Sequence, residues 1–239
     1  MKSSNESLSN LQNPEEREIL KNVFRACLKS SVWDFTSGFR GGNFFDLDEL
    51  AMGAFLNKEG KKTYEVPRGV QNSRELITHF AQKIKGCIGE YSLERCAFID
   101  RPIGRPVGML LYKDLLAELI GIGTCIVQPR KRVLHAAVKG APVRPGERFA
   151  VVSDVATTGL SIYAAAKQLI RLGGEVPIAF VLFDREQGAR ENLSAVGIKL
   201  LSLVRQSEAA EQGLISKSTA SSPNYMFLGQ QNISFSGQM

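Results

Sequence analysis

No apolar run in the chain approaches the roughly 18 residues that a membrane-spanning helix needs. The polar residues 1–13 also lack the apolar stretch of a secretory signal. Both absences direct the reading toward a cytoplasmic protein with no membrane partner. Cysteine is sparse: Cys27, Cys87, Cys96 and Cys125 are scattered without a CxxC pair, and there are only two histidines, His79 and His135. Neither a zinc site nor a disulfide framework is expected from that spacing, and the thiols are expected to be buried. Internal repeats are missing as well. Basic residues exceed acidic ones, 30 to 24, for a formal net charge of +6, which favours an acidic partner. Apart from Arg130-Lys131-Arg132 the cations are spread along the chain. No basic motif interleaved with aromatics is present, so an anionic small molecule is favoured over nucleic acid.

What is present is enough apolar material for a core: 239 residues, 44% hydrophobic and 23% charged. From about residue 96, short β-branched runs alternate with helical patterns, the signature of a parallel sheet with crossover helices. Strands are expected at 96–100, 124–128, 149–153, 178–183 and 198–204, and helices at 106–120, 159–172 and 187–196. The middle helix carries Ile162, Ala166, Leu169 and Ile170 at helical spacing and stops at Gly173-Gly174. The fold class is therefore α/β, a parallel sheet flanked by helices. Such sheets bind ligands at the carboxyl ends of their strands. Ahead of this core, expected at residues 96–215, residues 14–95 read as a small hood with helices at 14–28, 47–56 and 72–84 and a Gly-rich aromatic stretch at 33–47. Residues 1–13 are expected to be disordered, and 216–239, rich in Ser, Gln and Asn, to form a flexible tail.

The apolar run 149–152 leads straight into Ser153 and Asp154, then Val155, Ala156, Thr157, Thr158, Gly159, Leu160 and Ser161 at a helix start. Unpaired N–H groups at a helix N-terminus, hydroxyls from the threonines and Ser161, and a glycine that permits close approach make an anion site suited to a phosphate monoester. Asp154 is placed to accept hydrogen bonds from sugar hydroxyls or to face a hydrated Mg²⁺. The plainer alternative is that Asp154 and Thr157 cap a helix and do nothing else.

With these residues the chain resembles the type I phosphoribosyltransferases, and among them orotate phosphoribosyltransferase. Three other stretches add to the resemblance: the run Phe183 to Leu193 reading FDREQGARENL, the pair Thr36-Ser37-Gly38 and Asn43-Phe44-Phe45-Asp46, and Val127-Gln128-Pro129-Arg130-Lys131. The resemblance implies a type I phosphoribosyltransferase fold binding 5-phosphoribosyl-1-diphosphate (PRPP) and orotate, with Mg²⁺ carried by the diphosphate and a homodimeric assembly. It implies that the loop from Ser153 to Ser161 holds the 5-phosphate and ribose, with Asp154 facing the ribose hydroxyls. Arg101 and Gly104 would turn around the pyrophosphate, Arg130 and Lys131 would screen the diphosphate near His135, Arg185 would pair with the orotate carboxylate, and Phe44 and Phe45 would lie against the base. Each has a plainer rival: Phe44 and Phe45 as core, Arg185 as a surface partner of Glu186 or Glu191, the basic run as a solvated face.

The chain also departs from the family pattern. Ser153 stands where the family has a first acidic residue, Leu134 where its catalytic loop has a second lysine, and Thr36 where it offers a lysine to substrate. Each missing charged contact is worth on the order of 1.5 to 3 kcal/mol. Two other readings therefore stand beside the enzyme: a regulatory protein of this fold that binds PRPP or a nucleotide, and a phosphoribosyltransferase for another base.

Overall fold

In the computed structural model, the described residues are 28–34, 40–45, 68–100, 108–128 and 137–213, with Glu18 and Lys21 helical ahead of them. The expected helix at 47–56 and the tail at 216–239 lie outside the described residues. Strands β1 (Leu28–Asp34) and β2 (Arg40–Phe45) pair antiparallel, with Lys29 opposite Phe44 and Leu28 opposite Phe45. The aromatic stretch that the composition left unassigned is thus a two-stranded ribbon at this point.

The core begins with α1 (Arg68–Tyr91), longer at both ends than expected. Strand β3 (Arg95–Ile99) is followed by a 3₁₀ turn, Gly108–Tyr112, and α2 (Lys113–Ile120). The helix expected from residue 106 thus starts as a tighter 3₁₀ turn. Gly121 ends α2 at φ 81°, its N–H donating to the Ala117 carbonyl. Then come β4 (Gly123–Gln128), β5 (Ala137–Lys139), β6 (Arg148–Ala156), α3 (Leu160–Arg171), β7 (Glu175–Asp184), α4 (Ala189–Ser194), β8 (Lys199–Arg205) and α5 (Gln206–Glu211). The six-stranded sheet has the order β5-β4-β3-β6-β7-β8, parallel throughout except for β5, which runs antiparallel to β4. Neither β5 nor α5 was expected: each is short and has little apolar periodicity to reveal it.

Alternation along the strands sends residues to two cores, one on each face. Phe98, Val152 and Phe180 join Leu76 and Phe80 of α1 and Leu116 of α2. Ala97, Val151 and Val181 join Ala165 and Leu169 of α3 and Leu193 of α4. Cys96 belongs to the first layer and Cys125 to the second, so two thiols on neighbouring strands face opposite ways. Cys87, Cys96 and Cys125 are buried, as expected, and Cys27 lies outside the described residues.

At the amino ends of the strands Arg95 and Glu147 form a buried ion pair at 3.3 Å. Arg95 also donates to the carbonyls of Pro142 and Ala141, and its guanidinium lies over the Phe149 ring. This network pins the connection into β6 at the end of the sheet opposite Asp154.

Candidate active site at the carboxyl edge of the sheet

Strands β3, β4, β6 and β7 are parallel neighbours, so the residues at or just beyond their carboxyl ends share one edge. Asp100 follows β3, Gln128 ends β4, and Arg185 follows β7. The Asp100 N–H donates to the Val127 carbonyl at 2.9 Å, and the Gln128 side-chain amide donates to the Asp100 carboxylate. These bonds tie together the starting points of the two chain segments that leave this edge.

Strand β6 runs further than the hydrophobic pattern indicated. Val155 pairs with Phe183 and Ala156 with Asp184 in β7, so Ser153, Asp154, Val155 and Ala156 belong to the strand and not to a loop. The reason is that β7 is long enough to keep pairing past the apolar run. Only Thr157, Thr158 and Gly159 bridge β6 to α3, with Leu160 and Ser161 in the first turn of the helix. Ser153 is buried and donates through Oγ to Asp154 Oδ1 at 3.1 Å, and the Val155 N–H donates to the same oxygen at 2.8 Å. Asp154 is half-buried, as is Thr157, while Thr158 and Gly159 are buried and Leu160 and Ser161 exposed.

Gly159 is the N-cap of α3 at φ 78°, and no side chain caps the helix. That removes the reading in which Asp154 or Thr157 serves as a helix cap. Among the described residues no side chain caps the first-turn N–H groups, and the partial positive charge of the helix terminus lies behind them. A dianionic phosphate monoester is the ligand such a loop suits, and the hydroxyls of Thr157 and Ser161 lie in the same short segment.

The DREQGARENL segment packs directly behind this loop. The Arg185 N–H donates to the Ala156 carbonyl at 2.9 Å, and Asn192 Nδ2 donates to the Thr158 carbonyl at 3.0 Å. A Cβ on Gly159 would lie 3.0 Å from Leu193 Cγ. Arg185 is buried, with 3% exposure, and so does not stand on the surface. Glu186 instead turns to α5, its carboxylate accepting from the Ser207 N–H and Oγ at 2.6 and 2.9 Å, with its own backbone at φ 53°. Asp184 is fully buried: burial pushes its carboxyl up, against the Glu186 N–H and the Arg190 guanidinium, which favour the charged form.

Arg101, Gly104, Arg130, Lys131 and His135 lie outside the described residues, in segments 101–107 and 129–136 that begin beside Asp100 and Gln128. Phe44 and Phe45 are on β2, where the described structure extends to the backbone. Among the described residues no three His, Cys, Asp or Glu side chains gather as a metal-binding group, and no helix is long and apolar enough to cross a membrane. Sequence reasoning missed Asn192 and Glu186 as parts of the site. The signal available was Asn192 beside Leu193 on the inward face of a short helix, a polar residue where packing calls for an apolar one.

Comparison with known proteins places these features in context. No protein-family model matches the chain. The orotate phosphoribosyltransferase of Pyrococcus furiosus is 43% identical over 172 residues, covering 70% of this chain and 91% of that protein. That of Sulfolobus acidocaldarius is 41% identical over 112 residues, 47% of this chain, so the chain spans about half (48%) of that relative's length. Among solved structures, orotate phosphoribosyltransferase from Aeropyrum pernix superposes with a TM-score of 0.58 at 23% identity, covering 82% of this chain and 97% of that one. That likeness shows a shared fold.

Proposed function

Because the chain belongs to the orotate phosphoribosyltransferase family, we propose that it transfers the phosphoribosyl group of PRPP to orotate, giving orotidine 5-phosphate and pyrophosphate for pyrimidine nucleotide synthesis. The observation that carries this reading is the uncapped start of α3, where Thr157 to Ser161 follow the Asp154 end of β6 at the carboxyl edge of the sheet. In the reaction an orotate ring nitrogen bonds to ribose C1 as the C1–O bond to pyrophosphate breaks. Pyrophosphate takes the bonding electrons, and the nitrogen gives up its proton. Such a step needs placement of the reactants and stabilisation of developing charge.

The α3 terminus and its hydroxyls hold the 5-phosphate, and Asp154, oriented by Ser153, accepts from the ribose hydroxyls. Arg101 and Gly104, with Arg130, Lys131 and His135, attend the diphosphate, while Arg185, Phe44 and Phe45 attend orotate. Mg²⁺ would enter with PRPP, since diphosphate oxygens suit a hard cation that keeps several waters. Asp154, half-buried near the carboxyl end of β6, is placed to face a metal delivered by the substrate. The protein works in the cytoplasm as a homodimer, and α1, expected as part of the hood, packs in the core instead.

Ser153 beside Asp154 leaves one carboxylate where two would be expected, and this favours a second reading: a PRPP-binding regulator with reduced turnover. The deciding experiment follows orotate absorbance with purified protein, PRPP and Mg²⁺, against a control without PRPP. PRPP-dependent loss of orotate supports the transferase. PRPP binding without orotate loss supports the regulator.

A further inference from the structure

Asn192 is 2% exposed, and its amide reaches across a sequence separation of 34 residues to the Thr158 carbonyl. We propose that Asn192 is a positioning residue for the phosphate loop, one that sets the Thr158–Gly159 peptide so that the Gly159 N–H is presented to the ligand's phosphate. The inference rests on the reading of Thr157 to Ser161 as the 5-phosphate site.

In a trans peptide the C=O and the following N–H point to opposite sides of the chain, and no described peptide is cis. Thr158 O is drawn to α4 by Asn192, so the Gly159 N–H is turned away from α4. Without that donor the carbonyl, buried with Thr158 at 4% exposure, has an incentive to rotate toward another partner and to take the N–H with it.

Two contacts on either side make the arrangement a clamp. Upstream, the Arg185 N–H holds the Ala156 carbonyl at 2.9 Å. Downstream, Leu193 Cγ and the Ala189 carbonyl stand 3.0 and 3.4 Å from where a Gly159 Cβ would be, so the loop cannot relax toward α4. Asn192 itself is held on a helix whose neighbouring side chain, Leu193, is fully buried. The two motifs that stand out in the sequence thus meet: one is the cradle, and the other fixes its shape from behind.

The test compares wild type with Asn192→Asp, which keeps the shape and loses the donor, and Asn192→Ser, which is shorter but buries no charge. Three quantities are measured on the full chain: ribose 5-phosphate affinity by calorimetry, the separate KM values for PRPP and orotate, and the melting temperature. Loss of one buried hydrogen bond predicts roughly tenfold weaker ribose 5-phosphate and PRPP binding, with the orotate KM within about twofold of wild type. Should Asn192→Asp fail to fold, Asn192→Ser carries the comparison. Ribose 5-phosphate affinity unchanged in a folded variant overturns the proposal, as does an equal rise in both KM values, which a merely structural role produces. Wild-type protein that binds ribose 5-phosphate without consuming orotate defeats the acceptor assignment, and the binding arm still decides the role of Asn192. Wild type that does not bind ribose 5-phosphate overturns the proposal.

Discussion

The guanidinium of Arg190 closes on the fully buried Asp184 at 2.7 Å, and its other nitrogens reach Ser202 Oγ at 2.8 Å and the Leu200 carbonyl at 3.2 Å. One side chain from α4 therefore ties the end of β7 to β8, and Asp184 in turn accepts from the Glu186 N–H at 2.9 Å. Of the two arginines in the DREQGARENL segment, Arg190 is committed to this internal bond. Arg190→Leu should lower the unfolding free energy by about 1.5 to 3 kcal/mol, the worth of a charge-assisted hydrogen bond, as read by urea denaturation. An unchanged midpoint would mean that solvent takes over the pairing of Asp184.

Gly159 should tolerate no side chain. Its φ of 78° is costly for an L-residue, by roughly 1 to 2 kcal/mol, and the added Cβ would press on Leu193 at 3.0 Å. Gly159→Ala should therefore be less stable and bind PRPP more weakly. Adding Leu193→Ala removes the steric part while the φ strain remains. The double variant should accordingly cost less than the sum of the two single changes, as measured by melting and PRPP titration. Strict additivity would show that the two residues do not press on each other.

The contrast between what was legible in the sequence and what was not follows from physical range. The alternation of buried strands and helices is a local pattern, so β3, β4, β6, β7 and β8 were visible in short apolar runs, and the phosphate loop was visible because Thr157, Thr158 and Gly159 adjoin one of them. The end of β6 was misplaced because Asp154, Val155 and Ala156 are held in the strand by pairing with β7, which no window of residues 149–156 reveals. The same holds for the links between Asn192 and Thr158 and between Glu186 and Ser207, contacts spanning 34 and 21 residues. A sequence displays the residue types of a site more readily than the contacts that aim them.

The buried thiols should be inert in the native protein. Burial pushes Cys96 up to about 12, with the neighbouring Cys125 adding to the effect. Cys125 is pushed up to about 11, mainly by burial, with Arg95 opposing and Glu147 reinforcing. At pH 8 the thiolate fraction of Cys125 is then only about one in a thousand, and the thiolate is the reactive form. Iodoacetamide at that pH should leave both residues unlabelled in folded protein and label them fully in denaturant, as resolved by peptide mass spectrometry. Rapid labelling of either under native conditions would show that the β3–β4 region opens.

Glu147 should govern part of the acid stability. Burial alone would raise its carboxyl, but the Arg144 N–H at 3.0 Å and the guanidinium groups of Arg95 at 3.3 Å and Arg144 at 3.1 Å outweigh that, and the net direction is down from the ordinary 4.5. An acid with a depressed folded-state pKa binds protons more readily when unfolded. Its stabilising contribution is therefore present above about pH 4.5 and is lost as pH falls through the lower, folded-state value. Glu147→Gln removes this contribution and leaves the Arg95 guanidinium, 7% exposed as a residue, without its buried counter-charge. A loss of about 3 to 5 kcal/mol at neutral pH is expected, together with a shallower fall of stability below pH 4.5 than in wild type. Because the pair sits at the amino ends of the strands, away from Asp154 at the carboxyl end of β6, PRPP affinity in the folded variant should not change. Denaturation curves collected from pH 3 to 7 for both proteins decide the matter, and identical acid limbs would remove Glu147 from the account.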